Sequence, residues 1–538
     1  MGDESGELTG YNLFTSHAAL TEALAREGDC ADHEPLAALG ARLGTVEMFA
    51  LGATANRNPP VLHALDRFGA RRDAVEFHPA WHELMRRLVA EGLHTGPWAQ
   101  PRRGAHVARA AGYLMWAEIE NGTQCPATMS YGAVPALASQ GPQFERWVRA
   151  LLSREYDPRF MPAAAKRGVL MGMGMTERQG GSDVRSNTTR AVAVAARGPG
   201  CEYQLTGHKW FFSAPMCDAF LVLAQAPDGL SCFLVPRFRP DGSVNGLRLQ
   251  RLKDKLGNRS NASSEVEFDS ALGWLVGDEG RGIPAILEMG VYTRLDNAVA
   301  TAGLMHQCIA QAIHHARGRR AFGRLLIEQP LMRNVLADLS LECEAAVMLV
   351  MRLARAYDAQ PDESAARLRR LLTPVAKYWV CKRAPTVCAE AMEVLGGNGY
   401  VEDGPIARRL RESPLNSIWE GSGNIMCLDV LRALAREPHM SGTLHQLLAP
   451  ARGQDARYDR FVEALERELA DPADGELRAR DLTQRLALAV QAALFLVHGP
   501  AASCEAFLAS RLAAGAPAAF GTLPRTADTQ ALIARALL

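Results

Sequence analysis

Net charge is absent from this chain: 59 Lys and Arg balance 59 Asp and Glu. That excludes a globally basic nucleic-acid binder, though not a local basic groove. Paired cysteines are absent too. The 11 cysteines are scattered, with no C-x-x-C. This argues against a zinc ribbon or a disulfide framework and for reduced, mostly buried thiols of a cytosolic protein. Asp, Glu or Arg interrupts every long hydrophobic stretch, so no membrane span is expected. The acidic start from Met1 to Glu7 lacks a basic n-region. No signal peptide is therefore expected, and the predicted location is cytoplasmic. There is no internal repeat. The chain also lacks G-x-G-x-x-G, a P-loop, H-E-x-x-H and G-x-S-x-G. A Rossmann site, a metalloprotease and an α/β-hydrolase fall away with them, and no metal is expected.

What remains is an ordinary globular composition, 48% hydrophobic and 22% charged, over 538 residues. That length calls for several domains. Residues 1–165 read as helical; Trp81, Leu84, Met85, Leu88 and Val89 follow the 3.6 period. Short apolar runs between Gly and Pro turns replace that pattern over 166–280, which predicts a small β domain. Helical periodicity returns over 281–440, with helices predicted at 301–317, 331–356 and 371–395, enough for a four-helix bundle. The last segment, 441–538, is rich in Ala, Leu and Arg and reads as a helical extension.

Four segments carry chemistry. Gly180-Gly181-Ser182-Asp183, after Met175-Thr176-Glu177, would let backbone approach a flat or anionic ligand. It is also ordinary turn chemistry. Trp210-Phe211-Phe212-Ser213 could wall an aromatic ring or simply fill a core. Arg317 to Arg324 is a basic helix end, suited to phosphate or to solvent. Glu393 to Tyr400 is a glycine-rich helix exit, followed by Trp419-Glu420-Gly421-Ser422. There a carboxylate set between an aromatic and glycines could serve as a general base or cap a helix.

Together and in this order these segments resemble the acyl-CoA dehydrogenase family. Residues 175–184 resemble its flavin-binding T-E-P-x-x-G-S-D signature, with Arg178-Gln179 in place of the proline stretch. Arg320-Ala321-Phe322-Gly323, the block ending Gly397-Asn398-Gly399-Tyr400, and Trp419-Glu420-Gly421-Ser422 also fit. The runs starting at Arg251 and Asn416, and the tail of about 100 residues, are similar to the AidB-like branch, the DNA-alkylation-response flavoproteins.

The resemblance implies a mainly α fold with a central β domain: an N-terminal α domain, a middle β domain, a C-terminal four-helix bundle and a helical extension. It implies FAD. Met175, Thr176, Gly181 and Ser182 would touch the flavin and its chain, with Phe211, Phe212 and Ser213 beside the ring. Arg319, Phe322 and Gln329 would hold a neighbouring subunit's cofactor in a homotetramer, with Glu393 and Gly397 in a similar role. Trp419, Ser422 and Asn424 would contact FAD again. Glu420 matches the family's base, which takes the α-proton of an acyl-CoA; Asp296 is the rival. The AidB-like branch further implies duplex DNA binding by the extension and weak activity of the isovaleryl-CoA type. Arg432, Arg436, Arg478, Arg480 and Arg485 are the candidate contacts. Against this, 441–538 holds ten Arg, no Lys and eleven Asp or Glu, and DNA affinity depends on neutralised phosphates. The alternatives are a metabolic acyl-CoA dehydrogenase without a DNA role and a structural tetramer without catalysis.

Overall fold

The computed structural model describes residues 6–358, 362–437, 439–471, 473–513 and 519–538. They belong to two compact units. One comprises Ala50–Pro101 and Glu120–Thr293; the other comprises Met1–Phe49, Arg102–Ile119 and Arg294–Leu538.

The first unit is organised by a closed sheet. Its strands run Met171–Gly174, Ala219–Ala226, Arg190–Ala193, Glu202–Ser213, Ser263–Val276 and Gly229–Pro236, with Leu247–Leu252 beside Ser263–Val276. Gly229–Pro236 pairs back onto Ala219–Ala226, so the order closes into a barrel and most strand edges are paired. Phe220 to Ala224 are fully buried, which is why this strand reads as a continuous apolar run. Glu202–Ser213 alternates as far as Leu205, and its register then shifts at Leu205/Gly207 and at Lys209/Phe212. Phe212 is fully buried against Phe220, ring centroids 4.3 Å apart, while Phe211 is 52% exposed.

The helical reading of 1–165 fails over Val61–Leu65 and Arg71–Glu76, which form an antiparallel hairpin. Pro59 and Pro60 stop the preceding helix. The Asp66 carboxylate then accepts N–H bonds from Phe68 and Ala70 at 2.8 and 2.9 Å, and Gly69 takes φ 83°. This is turn chemistry that reverses the chain. The amphipathic segment around Trp81 is a helix as its periodicity predicts, Pro79–Ala90, capped by the His78 side chain.

The second unit is a bundle of long helices: Gly282–Gly318 from Arg294 onward, Pro330–Asp358 and Glu363–Val394. The last starts two turns before the predicted 371, because Asp362 caps the Ser364 N–H at 2.9 Å. The extension is helical as expected and belongs to this unit. Its long helix, Gly475–His498, buries Leu482, Leu486, Val490, Leu494 and Phe495. Trp379 Nε1 donates to Gln491 Oε1 at 3.2 Å.

Candidate functional site

In the barrel unit, the loop after Met171–Gly174 carries Met175, Thr176, Gly181 and Ser182. A Cβ on Gly181 would lie 2.5 Å from Thr176 Oγ1, so glycine alone lets the loop close on itself. The loop is fastened by a residue pair the sequence does not advertise. Glu177 is fully buried and meets Lys209 Nζ at 2.7 Å. It also accepts the Thr188 N–H at 2.6 Å and the Thr188 hydroxyl at 2.9 Å. Burial opposes the charge, but the Lys209 ammonium and these donors hold the Glu177 carboxyl far below its usual range. Burial lowers the Lys209 ammonium to about 8. Trp210 N–H donates to Thr176 O at 2.9 Å, tying loop to strand.

Of the aromatic pair, only Phe211 is presented. Lys253 Nζ stands 4.6 Å from its ring centre, and Ser213 lies two residues on. The resemblance places Phe212 beside the flavin ring; the register shift between Lys209 and Phe212 turns it into the barrel core instead.

In the bundle unit, Glu420 sits between the 3-10 turn Leu415–Ser417 and the helix Gly423–Arg436. Its φ is +59°, and Gly421 follows at +102°. Two cations grip this turn. Lys377 Nζ donates to Trp419 O at 2.8 Å and to Gly421 O. Arg294 Nε donates to Glu420 O at 3.0 Å. Trp419 Nε1 donates to Asn416 Oδ1 at 2.9 Å. Ser422 is the N-cap of Gly423–Arg436, yet its hydroxyl makes no capping bond. The N–H groups of the first turn, including Asn424, are thereby left for another acceptor.

Asp296, the rival base, is not available. It is buried and held bidentate by Arg109 at 2.5 and 2.7 Å. Arg319 leads into the hairpin Arg320–Ala321 with Arg324–Leu325. Phe322 occupies its turn at φ +51° with the ring wholly exposed. Gln329 Nε2 donates back to Ala321 O at 3.2 Å. Glu393 is exposed near the end of Glu363–Val394, and a Cβ on Gly397 would meet nothing.

The tail arginines divide. Arg478 pairs with Glu468 at 2.5 Å and Arg485 with Asp481 at 2.8 Å. Arg432, Arg436 and Arg480 are exposed and form no ion pair among the described residues. Arg480 Nη2 lies 3.5 Å from where a Cβ on Gly423 would be.

One described cluster, His17, Glu118 and His306, has the composition of a metal site, with ligand atoms within 4.8 Å of one another. The two imidazoles stack at 3.5 Å and 1°. A bound ion lies in the plane of each ring it coordinates, and parallel planes share no such point. His306 instead links the Glu118 carboxylate, at 3.1 Å, to the Ala536 carbonyl, at 2.9 Å. The cluster therefore fastens the chain's C-terminal end to the bundle.

A β barrel in one unit and a bundle of long helices in the other make up the acyl-CoA dehydrogenase fold. Three family models match in order. They are the adaptive response protein AidB N-terminal domain over 3–158, and the acyl-CoA dehydrogenase middle and C-terminal domains over 172–271 and 280–435. The chain is 51% identical to AidB of Escherichia coli (strain K12) over 483 residues, 89% of this chain and 88% of that one. It belongs to the acyl-CoA dehydrogenase family of FAD-dependent oxidoreductases, on its AidB side. Among solved structures it is similar to Caenorhabditis elegans ACDH-11 in complex with C11-CoA. The TM-score is 0.84 at 27% identity, covering 99% of this chain and 92% of that one. An acyl-CoA dehydrogenase from Bacillus anthracis complexed with FAD shares the fold: TM-score 0.65, 18% identity and 80% of each chain.

Proposed function

We propose that this protein binds FAD and oxidises a short or branched acyl-CoA of the isovaleryl type, with Glu420 as the base. The observation that carries this is the Glu420 turn: a non-glycine residue held at positive φ by two cations is strain that persists only where surrounding structure enforces it. The residues also suit the cofactor. Gly181 and Ser182 offer a close backbone and a hydroxyl, Phe211 a half-exposed aromatic ring, and Ser422 and Asn424 a helix start with no side-chain cap. When bound, FAD supplies the acceptor for the β-hydride. The chain's own part is to orient the thioester and take the α-proton on the Glu420 carboxylate. ACDH-11, crystallised with C11-CoA, supports an acyl-CoA as the substrate; the short or branched acyl group rests on the AidB kinship. The wholly exposed Phe322 ring supports a homotetramer in which Arg319, Phe322 and Gln329 serve a neighbour's cofactor. Anaerobic titration of the FAD-loaded protein with a panel of acyl-CoAs tests the reading. Bleaching by isovaleryl-CoA is expected, and a flavin that no acyl-CoA reduces would refute it.

A second activity, duplex DNA binding within the alkylation response, is proposed on the AidB kinship and on two residues. Arg432 and Arg436 lie one helical turn apart, both exposed and without an ion pair among the described residues. Arg478 and Arg485 are spent on carboxylates and contribute little to this proposal. Replacing Arg432 and Arg436 together by Glu is expected to weaken duplex binding and to flatten its salt dependence by about two counterions. Arg485→Ala is expected to change neither. A gel shift in which the double variant binds like wild type rejects this assignment.

A further inference from the structure

Three successive carbonyls, of Trp419, Glu420 and Gly421, are each taken by a cation: Lys377 for the outer two, Arg294 for the middle one. Arg294 is itself anchored by Asp429 at 3.2 Å. Lys377 is 1% exposed and makes no ion pair among the described residues. Burying an ammonium without a carboxylate is costly, and an apolar side chain at this bundle position would avoid that cost. What Lys377 does instead is hold the carbonyls on either side of Glu420, and with Arg294 it enforces positive φ at two consecutive residues.

We infer that Lys377 is a positioning residue for the base, fixing the backbone from which the Glu420 carboxylate projects. This rests on Glu420 acting as the base. A turn freed from its clamp would relax toward ordinary φ, and displacement of a catalytic group by about 1 Å can cost about 10²-fold in rate.

The groups facing Lys377 are Cys381 on its own helix, Glu420, Arg294 and Lys382. Burial is the largest influence and lowers the ammonium to about 8; Cys381 and Glu420 oppose it, while Arg294 and Lys382 add to it. The clamp is therefore charged below about pH 8 and neutral above. Flavin reduction should fall as pH rises through that value. That fall is not unfolding. A lysine whose folded-state pKa lies below the unfolded one adds stability as pH rises between the two.

The test is anaerobic stopped-flow reduction of FAD-loaded wild type, Lys377→Met and Lys377→Arg by isovaleryl-CoA, between about pH 6 and 9.5. Lys377→Met should keep FAD, bind isovaleryl-CoA within about threefold of wild type, and reduce about 10²-fold more slowly. Lys377→Arg should recover at least about a tenth of the rate and lose the basic limb near pH 8, because a guanidinium stays charged. The inference is overturned if Lys377→Met stays within about threefold of wild type at every pH. It is equally overturned if Lys377→Arg is as slow as Lys377→Met, or if it keeps the basic limb. Should Lys377→Met not fold, the Lys377→Arg profile alone decides. Should wild type resist every acyl-CoA, the function proposed above fails, and the clamp is read without substrate. Chymotrypsin should then cut after Trp419 faster in Lys377→Met than in wild type, and equal rates would overturn it.

Discussion

Glu420→Gln leaves the protein yellow and slows acyl-CoA-dependent flavin reduction by about 10²–10⁴-fold, the span of a general base's contribution. An amide of the same shape cannot accept the α-proton. The turn itself should survive, since Lys377 and Arg294 hold peptide carbonyls and not the carboxylate. Loss of rate without loss of cofactor is therefore the expected signature, checked by anaerobic bleaching beside the flavin spectrum. Asp296→Asn provides the contrast. Asp296 is the bidentate partner of Arg109, which is 5% exposed. Weakening a buried pair on one side costs up to about 3–5 kcal/mol. That variant should melt earlier and still bleach. If Glu420→Gln bleaches at the wild-type rate, the base lies elsewhere.

The difference between these two carboxylates could not be read from the sequence. Both stand near register positions where a base belongs, but what disqualifies Asp296 is an arginine 187 positions away. The same holds for Lys377, which sits inside a helix with no local pattern to mark it. Phe211 and Phe212 show the same limit. Continuing the alternation that buries Tyr203, Leu205 and Lys209 would bury Phe211 and expose Phe212; a register shift between Lys209 and Phe212 reverses the two, and no residue pattern marks it. Elements with strong internal periodicity, such as Pro79–Ala90 and Pro330–Asp358, were legible because their burial pattern is local. The strand Met171–Gly174 was not: Met-Gly-Met-Gly carries little strand propensity, and the segment is extended because it pairs with Ala219–Ala226.

The extension tests how far a tail can be treated as a detachable module. Removing 441–538 is expected to take the protein out of solution, not merely to strip one activity. Leu482, Leu486, Val490, Leu494 and Phe495 are each 5% exposed or less. At about 1.5–3 kcal/mol per buried side chain, their helix alone contributes about 7–15 kcal/mol, comparable to a domain's whole net stability of about 5–15 kcal/mol. The deletion would also orphan buried charges. Arg511 meets Glu342 at 3.1 Å and Asp338 at 2.5 Å, and Arg535 meets Glu344 at 2.7 Å. Burial pushes the Glu342 carboxyl up, but Arg383 and Arg511 together hold it below its usual range. A carboxylate so held contributes stability above the ordinary carboxylate range and loses it as pH falls. Arg511→Met isolates this effect. It leaves the tail in place, takes Asp338's cation away and leaves Glu342 with Arg383 alone, at a cost of up to about 3–5 kcal/mol. Thermal melts should show a clear drop near neutral pH that narrows toward acid, where the carboxylates are protonated in both proteins. An Arg511→Met protein that melts with wild type at neutral pH would mean that the tail is only loosely fastened, and that deletion is after all a clean way to ask what it binds.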